Sequence, residues 1–157
     1  QDCFYDLNEI VPKYKAEIYQ YVGDEAILSW TYKDGFDKSN CVTVFFAYMN
    51  RLQEKSDYYL AKYNNIPEFK AGLHFGKVTV AEVGVVKKEI AYHGDTINTA
   101  ARIQGQCNKL SQDFLISESL KNVLNTSGFV LSEHGSIELR GKEKQTNLFG
   151  VHQTESK

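Results

Sequence analysis

Residues 92–104 read "YHGDTINTAARIQ" and contain the most specific pattern in the chain. A Gly-Asp turn leads directly into a helical pattern that carries Asn98 and, four residues later, Arg102, with the small residues Ala100 and Ala101 between them. Residues four apart share one face of a helix. A helix that only packs against a core has little use for this polar pair. The pattern therefore indicates a helix that approaches a polyanion closely.

Composition narrows the class of protein before any other motif is considered. The chain has 157 residues, 42% of them hydrophobic, which suits one domain with a buried core. Its formal net charge of −2 argues against a nucleic-acid partner, which needs a basic face. Three cysteines without CxxC spacing and four scattered histidines predict free thiols in a reducing cytoplasm and no zinc site.

Hydrophobic periodicity predicts a mixture of helices and strands along the chain. Two strands, 17–22 and 26–30, flank a turn at Gly23-Asp24. The glycines among the strands of 68–86 allow bends or close backbone approach. This order favours α/β layers with helices against one main sheet. The other predicted segments are helices at 3–15, 40–64 and 118–124, a loop at 33–40, and strands at 89–94, 113–117 and within 129–152.

Each motif taken alone also has an ordinary structural explanation. A Gly-Asp pair is common turn chemistry. Asn98 can be a first-turn helix residue, Arg102 a solvated charge, and the lysines of "LRGKEK" a solvated turn. Two Gly-Asp turns that each follow a short aromatic-rich strand form a more specific pattern than either turn alone.

Four segments together resemble one family. "GDTINTAAR", residues 94–102, is similar to the GD-x-x-N-x-A-x-R signature of class III adenylyl and guanylyl cyclase catalytic domains. "YQYVGDEAI", residues 19–27, resembles that family's strand–GD–strand hairpin. "FKAGLHFGKVTVAEVG", residues 69–84, resembles its glycine-studded central strands, and "ELRGKEK", residues 138–144, its basic C-terminal turn. The resemblance covers residues 1–152 and leaves 153–157 as a tail.

The resemblance implies an α/β fold of the α+β sandwich kind, with the ferredoxin-like βαββαβ core of these cyclases. The chain begins inside what resembles the first helix, so the first strand is expected to be missing. That strand is expected to carry the second metal-binding aspartate. Asp6 superficially mimics it, but its neighbours have helical spacing and its distance from Asp24 does not fit. We therefore do not expect Asp6 to bind metal.

The resemblance also implies an activity, the conversion of a nucleoside triphosphate to its 3′,5′-cyclic monophosphate and pyrophosphate in signalling. Two Mg²⁺ or Mn²⁺ ions assist such chemistry, and Asp24 resembles one of the family's metal-binding aspartates. By the same resemblance Asn98 orients the ribose and Arg102 stabilises the transition-state charge. The small side chains of Ala100 and Ala101 let a partner subunit pack close to the helix. Arg140 resembles the basic residue that binds the triphosphate, with Lys142 as a weaker helper.

The positions that read the base differ from the family's usual residues. Gln20 lies four residues before Asp24, where adenylyl cyclases usually carry Lys and guanylyl cyclases Glu. Ala91 lies seven residues before Asn98, where adenylyl cyclases usually carry Asp or Thr. A glutamine amide both donates and accepts hydrogen bonds, so it can read more than one base. ATP is the expected substrate, and another nucleoside triphosphate is the alternative.

The resemblance further implies a head-to-tail homodimer, or a heterodimer with a related chain, in which each active site is shared by two chains. A different class of protein stays open, a non-catalytic cyclase homology domain that serves as a dimerisation or regulatory nucleotide-binding module.

The longest apolar run, from Cys41 to Met49, is too short to span a bilayer, which takes about 20 residues. A cytoplasmic location is expected, with membrane attachment only through a region outside this chain.

Overall fold

A computed structural model describes residues 2–76, 79–83, 89–93, 95–138 and 145–154. The chain divides into two compact units, Gln1–Phe69 and Lys70–Lys157. Within the described ranges, no helix has the length and apolar character needed to cross a membrane.

The first unit combines four helices with one hairpin. Strands β1 (Glu17–Val22) and β2 (Glu25–Ser29) pair antiparallel around the predicted turn, where Gly23 has a φ of 60°. This left-handed conformation favours glycine, which explains the residue at the turn. The helices are α1 (Asp2–Ile10), α2 (Tyr32–Phe36), α3 (Asn40–Glu54) and α4 (Ser56–Tyr63), with short 3₁₀ turns at Val11–Tyr14 and Asp37–Ser39.

The core of the first unit lies between α1, α3 and α4. One aspartate, Asp6, is buried among these apolar side chains with only 1% of its surface exposed. It accepts hydrogen bonds from Lys55 Nζ at 2.6 Å and Tyr59 Oη at 2.7 Å. Pairing of this kind offsets the cost of burying a charge. The buried apolar residues are Leu7, Ile10, Val11, Ala16, Val44, Tyr48, Leu52 and Tyr59.

Two sequence predictions for this unit are wrong. The segment predicted as a loop at 33–40 contains α2 and a 3₁₀ turn, because Thr31 caps α2 by accepting a hydrogen bond from the Asp34 backbone N–H. The single helix predicted at 40–64 is interrupted at Lys55. After the interruption Leu60 is 47% exposed, and the neighbouring Tyr59 lies in the core.

The second unit is built on a four-stranded sheet in the order β3-β6-β8-β7. Strands β3 and β6 are parallel, and the remaining pairs are antiparallel. Strands β4 and β5 form a separate antiparallel ladder. The elements are β3 (Ala71–Leu73), β4 (Thr79–Val83), β5 (Glu89–His93), α5 (Asp95–Gly105), β6 (Phe114–Ser117), α6 (Glu118–Val123), β7 (Phe129–Glu138) and β8 (Gln145–Gln153).

Helix α5 approaches strand β3 at backbone distance. A β-carbon built on Gly72 would lie 2.3 Å from the Gln104 nitrogen and 2.6 Å from the Ala100 carbonyl oxygen. No side chain fits in that space, so glycine is required there. The sequence prediction that glycines in this segment permit close backbone approach is confirmed at Gly72.

The predicted α+β class is confirmed. Strand pairing in the described ranges gives one four-stranded sheet and two two-stranded ladders, however, instead of the one main sheet expected from the sequence. A second small core lies beneath α5, where Ile103 and Cys107 pack with Leu115 of β6 and Leu148 of β8. The division into a domain at 1–152 and a tail at 153–157 stays a prediction.

Candidate active site

Helix α5 presents two faces of opposite character. Thr99 and Ile103, four residues apart, are buried at 6% and 0% exposure. Asn98 and Arg102, also four apart, are both exposed. Residues spaced in this way project from the same side of a helix. Burial of the first pair therefore fixes the direction in which the second pair faces solvent.

Arg102 is tied to the end of strand β7. Its guanidinium donates a hydrogen bond of 2.6 Å from Nη2 to the carbonyl oxygen of Glu138. A guanidinium has five N–H donors, so one such bond positions the group without using all of them. Glu138 immediately precedes residues 139–144, the basic segment that carries two of the predicted triphosphate ligands. The Arg102 guanidinium thus lies at the last described residue before that segment.

Asp24 and Gln20 lie on the hairpin of the first unit. Asp24 is exposed in the turn between β1 and β2, as predicted. Gln20 is exposed on β1, where it pairs with Ile27 next to an irregularity in the strand register. An exposed amide and an exposed carboxylate four residues apart are available to ligands from outside the hairpin.

Three predicted residues cannot be placed as side chains. Arg140 and Lys142 lie outside the described residues. Ala91 is described through its backbone, in β5 opposite Ala81 of β4. Their predicted contacts with the triphosphate and the base stay predictions.

The described residues supply part of the ligand set that two divalent cations would need. Asp24 supplies a hard carboxylate oxygen, the ligand type that Mg²⁺ prefers. Within the described side chains, no three His, Cys, Asp or Glu residues are grouped to hold a metal. The donor chemistry of Asp24 thus fits a magnesium ion, and further ligands would have to complete its coordination. Asp6 is engaged by Lys55 and Tyr59 inside the first core, and its exclusion from the metal site stays a prediction.

Sequence reasoning missed a hydrogen-bonded cluster at one end of the second sheet. His74 follows β3, and its Nδ1 lies 2.6 Å from the hydroxyl of Ser117, the last residue of β6. Ser117 is fully buried and also lies 3.1 Å from the Ser119 hydroxyl. Burial lowers the pKa of the His74 imidazole. The one available signal was a histidine between two glycines in "GLHFG".

Comparison with known proteins identifies the family. The model of the adenylate and guanylate cyclase catalytic domain matches residues 1–152. Adenylate cyclase 2 of Rhizobium meliloti (strain 1021) is 34% identical over 149 residues, which is 94% of this chain and 41% of that protein. The chain belongs to the adenylate and guanylate cyclase catalytic domain family.

Solved structures agree on the fold. The crystal structure of the adenylyl cyclase CyaB from P. aeruginosa matches with a TM-score of 0.74 at 19% identity, over 98% of this chain and 80% of that one. The guanylate cyclase domain of RhGC from Catenaria anguillulae, solved in complex with GTP, matches with a TM-score of 0.65 at 16% identity. That match covers 98% of this chain and 81% of that one. The chain thus has the class III cyclase catalytic fold, and it spans under half the length of the curated relatives it matches.

Proposed function

We propose that this chain is the catalytic domain of a nucleotidyl cyclase that converts ATP to 3′,5′-cyclic AMP and pyrophosphate in a signalling pathway. The observation that carries the proposal is the exposed Asn98–Arg102 pair on α5, with Arg102 held against the end of β7. Membership of the cyclase family supports the reaction type. The Rhizobium relative, an adenylate cyclase, supports the adenine base.

Cyclisation requires that the ribose hydroxyl be positioned and that the charge developing on the phosphates be compensated. The ribose 3′-oxygen attacks the α-phosphorus, and the bond to the pyrophosphate oxygen breaks, so negative charge grows on the phosphate oxygens. In the proposed site Asn98 hydrogen-bonds the ribose and holds the 3′-hydroxyl near the phosphorus. Arg102 directs N–H donors at the developing charge, where its planar guanidinium matches phosphate geometry. Arg140, with Lys142, binds the triphosphate.

Bound divalent cations would supply Lewis-acid polarisation of the phosphates and a lowered pKa for the attacking hydroxyl. Asp24 would hold them through its exposed carboxylate. The hairpin tip offers Asp24 and the neighbouring Glu25 but no second aspartate, so the second aspartate of the family pattern would come from outside the described residues.

The proposed assembly is a head-to-tail homodimer. Asp24 and Gln20 are on the hairpin of the first unit, whereas Asn98 and Arg102 are on α5 of the second. In the proposed dimer each site takes the hairpin residues from one chain and the α5 residues from the other. Two equivalent sites then follow from the two-fold symmetry.

We propose that the site discriminates only weakly between nucleotide bases. Gln20 is exposed and carries a neutral amide, and the side chain of Ala91 offers no hydrogen bond. A site that lacks specific hydrogen bonds to a base cannot reject the wrong base strongly. We expect ATP to be preferred and at least one other nucleoside triphosphate to be turned over measurably.

The direct test is an assay of the full-length protein with Mg²⁺ or Mn²⁺ and each of the four nucleoside triphosphates. Formation of cyclic AMP as the main product, abolished by Asp24→Asn, supports the proposal. Nucleotide binding without any cyclic product from any of the four would instead establish the non-catalytic regulatory module. Selectivity for ATP as strict as that of a charged reading site would show that groups other than Gln20 and Ala91 read the base.

A further inference from the structure

His74 is fixed to the end of strand β6. Because β3 and β6 are parallel and Leu73 pairs with Ile116, the next residues, His74 and Ser117, meet at the same end of the sheet. The bond of 2.6 Å between the His74 Nδ1 and the Ser117 hydroxyl joins them. Ser117 is fully buried, so this side of the imidazole is anchored to the sheet and not to a mobile surface group.

Gly76, two residues after His74, lies beside the start of α5. A β-carbon built on Gly76 would lie 3.9 Å from His74 Nε2 and 2.8 Å from the Thr96 hydroxyl oxygen. The imidazole and the Thr96 side chain thus border the same space beside Gly76, and the Gly76 backbone lies close against the first turn of α5. Thr96 lies two residues before Asn98. A displacement of the first turn would carry Asn98 with it.

The remainder of α5 is positioned separately. Gly72, two residues before His74, admits the helix backbone at Ala100 and Gln104. Ile103 is buried beneath the helix with Cys107 and Leu115. These contacts fix the second half of α5 without the imidazole. In the first turn Thr96 and Ile97 are half-buried and Asn98 is exposed, so this turn is less deeply packed than the second half of the helix.

We propose that His74 is a positioning residue which holds the first turn of α5 against the sheet and thereby aims Asn98 at the substrate. The role of Asn98 in this inference rests on the proposed function. The position of the helix turn does not depend on that function. Burial lowers the pKa of His74, so the ring is neutral near pH 7 and adds no charge beside the helix.

The structure supplies a matched control histidine. The Nε2 of His134 on β7 lies 2.8 Å from the hydroxyl of Ser132, so it too is a half-buried imidazole bonded to a strand serine. Strand β7 is two strands away from β6 in the sheet. His134→Ala therefore removes the same kind of group from the same unit at a distance from the first turn of α5.

The experiment compares wild type, His74→Ala, His74→Asn and His134→Ala in the full-length protein. Two quantities are measured, steady-state kinetics with Mn²⁺ and ATP, and amide hydrogen exchange of the peptide covering residues 95–99. Ser117 keeps its contact with Ser119 in His74→Ala, so the buried hydroxyl is not left without a partner and the variant is expected to fold.

In His74→Ala we expect kcat to fall by about tenfold or more with KM nearly unchanged, because a misplaced Asn98 affects orientation more than triphosphate binding. Exchange should rise in residues 95–99 and stay unchanged in residues 100–105. His74→Asn can still reach Ser117 and should recover part of the kcat. His134→Ala should match wild type in both measurements.

An unchanged kcat in His74→Ala would overturn the proposal, as would exchange that rises equally over the whole of α5. So would a His74→Asn variant no better than His74→Ala. If wild type makes no cyclic nucleotide, the proposed function fails, and the exchange pattern alone then decides whether His74 positions the first turn.

Discussion

The close approach of α5 to β3 predicts a large effect from one added methyl group. In Gly72→Ala the new β-carbon would lie 2.3 Å from the Gln104 nitrogen and 2.6 Å from the Ala100 oxygen. Ordinary contacts between such atoms are about 3.5 Å, so the helix must retreat by about 1 Å. Both opposing atoms are backbone atoms, and no side-chain rotation can relieve the overlap.

The cost of this retreat follows from the packing beneath the helix. Ile103 of α5 and Cys107, two residues after the helix, are fully buried, and a shift of the helix loosens their contacts with Leu115. Overpacking of this kind typically costs about 1–3 kcal/mol, and we expect the upper end because the helix must move as a body. A displacement of about 1 Å at Asn98 and Arg102 can also lower kcat by about 10²-fold.

The assay is urea unfolding followed by circular dichroism, with cyclase kinetics on the same samples. Gly105→Ala is the matched control, because a β-carbon there meets nothing within 4 Å. That variant should be neutral or slightly stabilising, as replacement of glycine by alanine in a helix usually is. A Gly72→Ala protein within about 0.5 kcal/mol of wild type would refute the close-packing argument. A destabilised variant with full kcat would refute the link between helix position and catalysis.

Further predictions test the site, the first core and the thiols. Arg102→Ala should lower kcat by about 10²–10³-fold while its melting temperature stays close to wild type, because Arg102 is exposed; retained turnover would remove its proposed role. Asp6→Ala should lower the free energy of unfolding by about 1–3 kcal/mol in urea titrations, since the buried Tyr59 hydroxyl loses its acceptor and Lys55 loses its ion-pair partner; a smaller loss than in an exposed aspartate variant such as Asp57→Ala would contradict this. Burial raises the pKa of the Cys41 thiol to about 12 and that of Cys107 to about 11, so both should resist iodoacetamide at pH 8 until the protein is unfolded; rapid labelling of either in the native protein would contradict the buried assignment.

The sequence predicted those parts of the fold that depend on local patterns. The hairpin around Gly23 and helix α5 were both predicted from periodicity and turn chemistry, and both are present near the expected residues. Asn98 and Arg102 share an exposed face because a spacing of four residues is a local property of a helix. Turn and helix signals of this kind need no knowledge of the rest of the chain.

The missed features depend on contacts between distant residues or on weak local signals. The His74–Ser117 bond joins residues 43 apart, and the Arg102–Glu138 bond joins residues 36 apart. Neither follows from periodicity, because the first depends on the register of the parallel pair β3–β6 and the second on the packing of α5 near the end of β7. Helix α2 has only five residues and depends on the Thr31 cap, so its hydrophobic pattern is too short to recognise.

The proposed function depends most on an active site formed by α5 of one chain and the hairpin of another. Mixing Asp24→Asn with Arg102→Ala and measuring cyclic AMP tests it directly, because random pairing makes half the dimers mixed and gives each mixed dimer one intact site. A site shared by two chains predicts two nearly inactive parent proteins and a mixture with about one quarter of wild-type activity. A mixture no more active than its parents, with exchange of chains verified by mass spectrometry, would contradict the shared site.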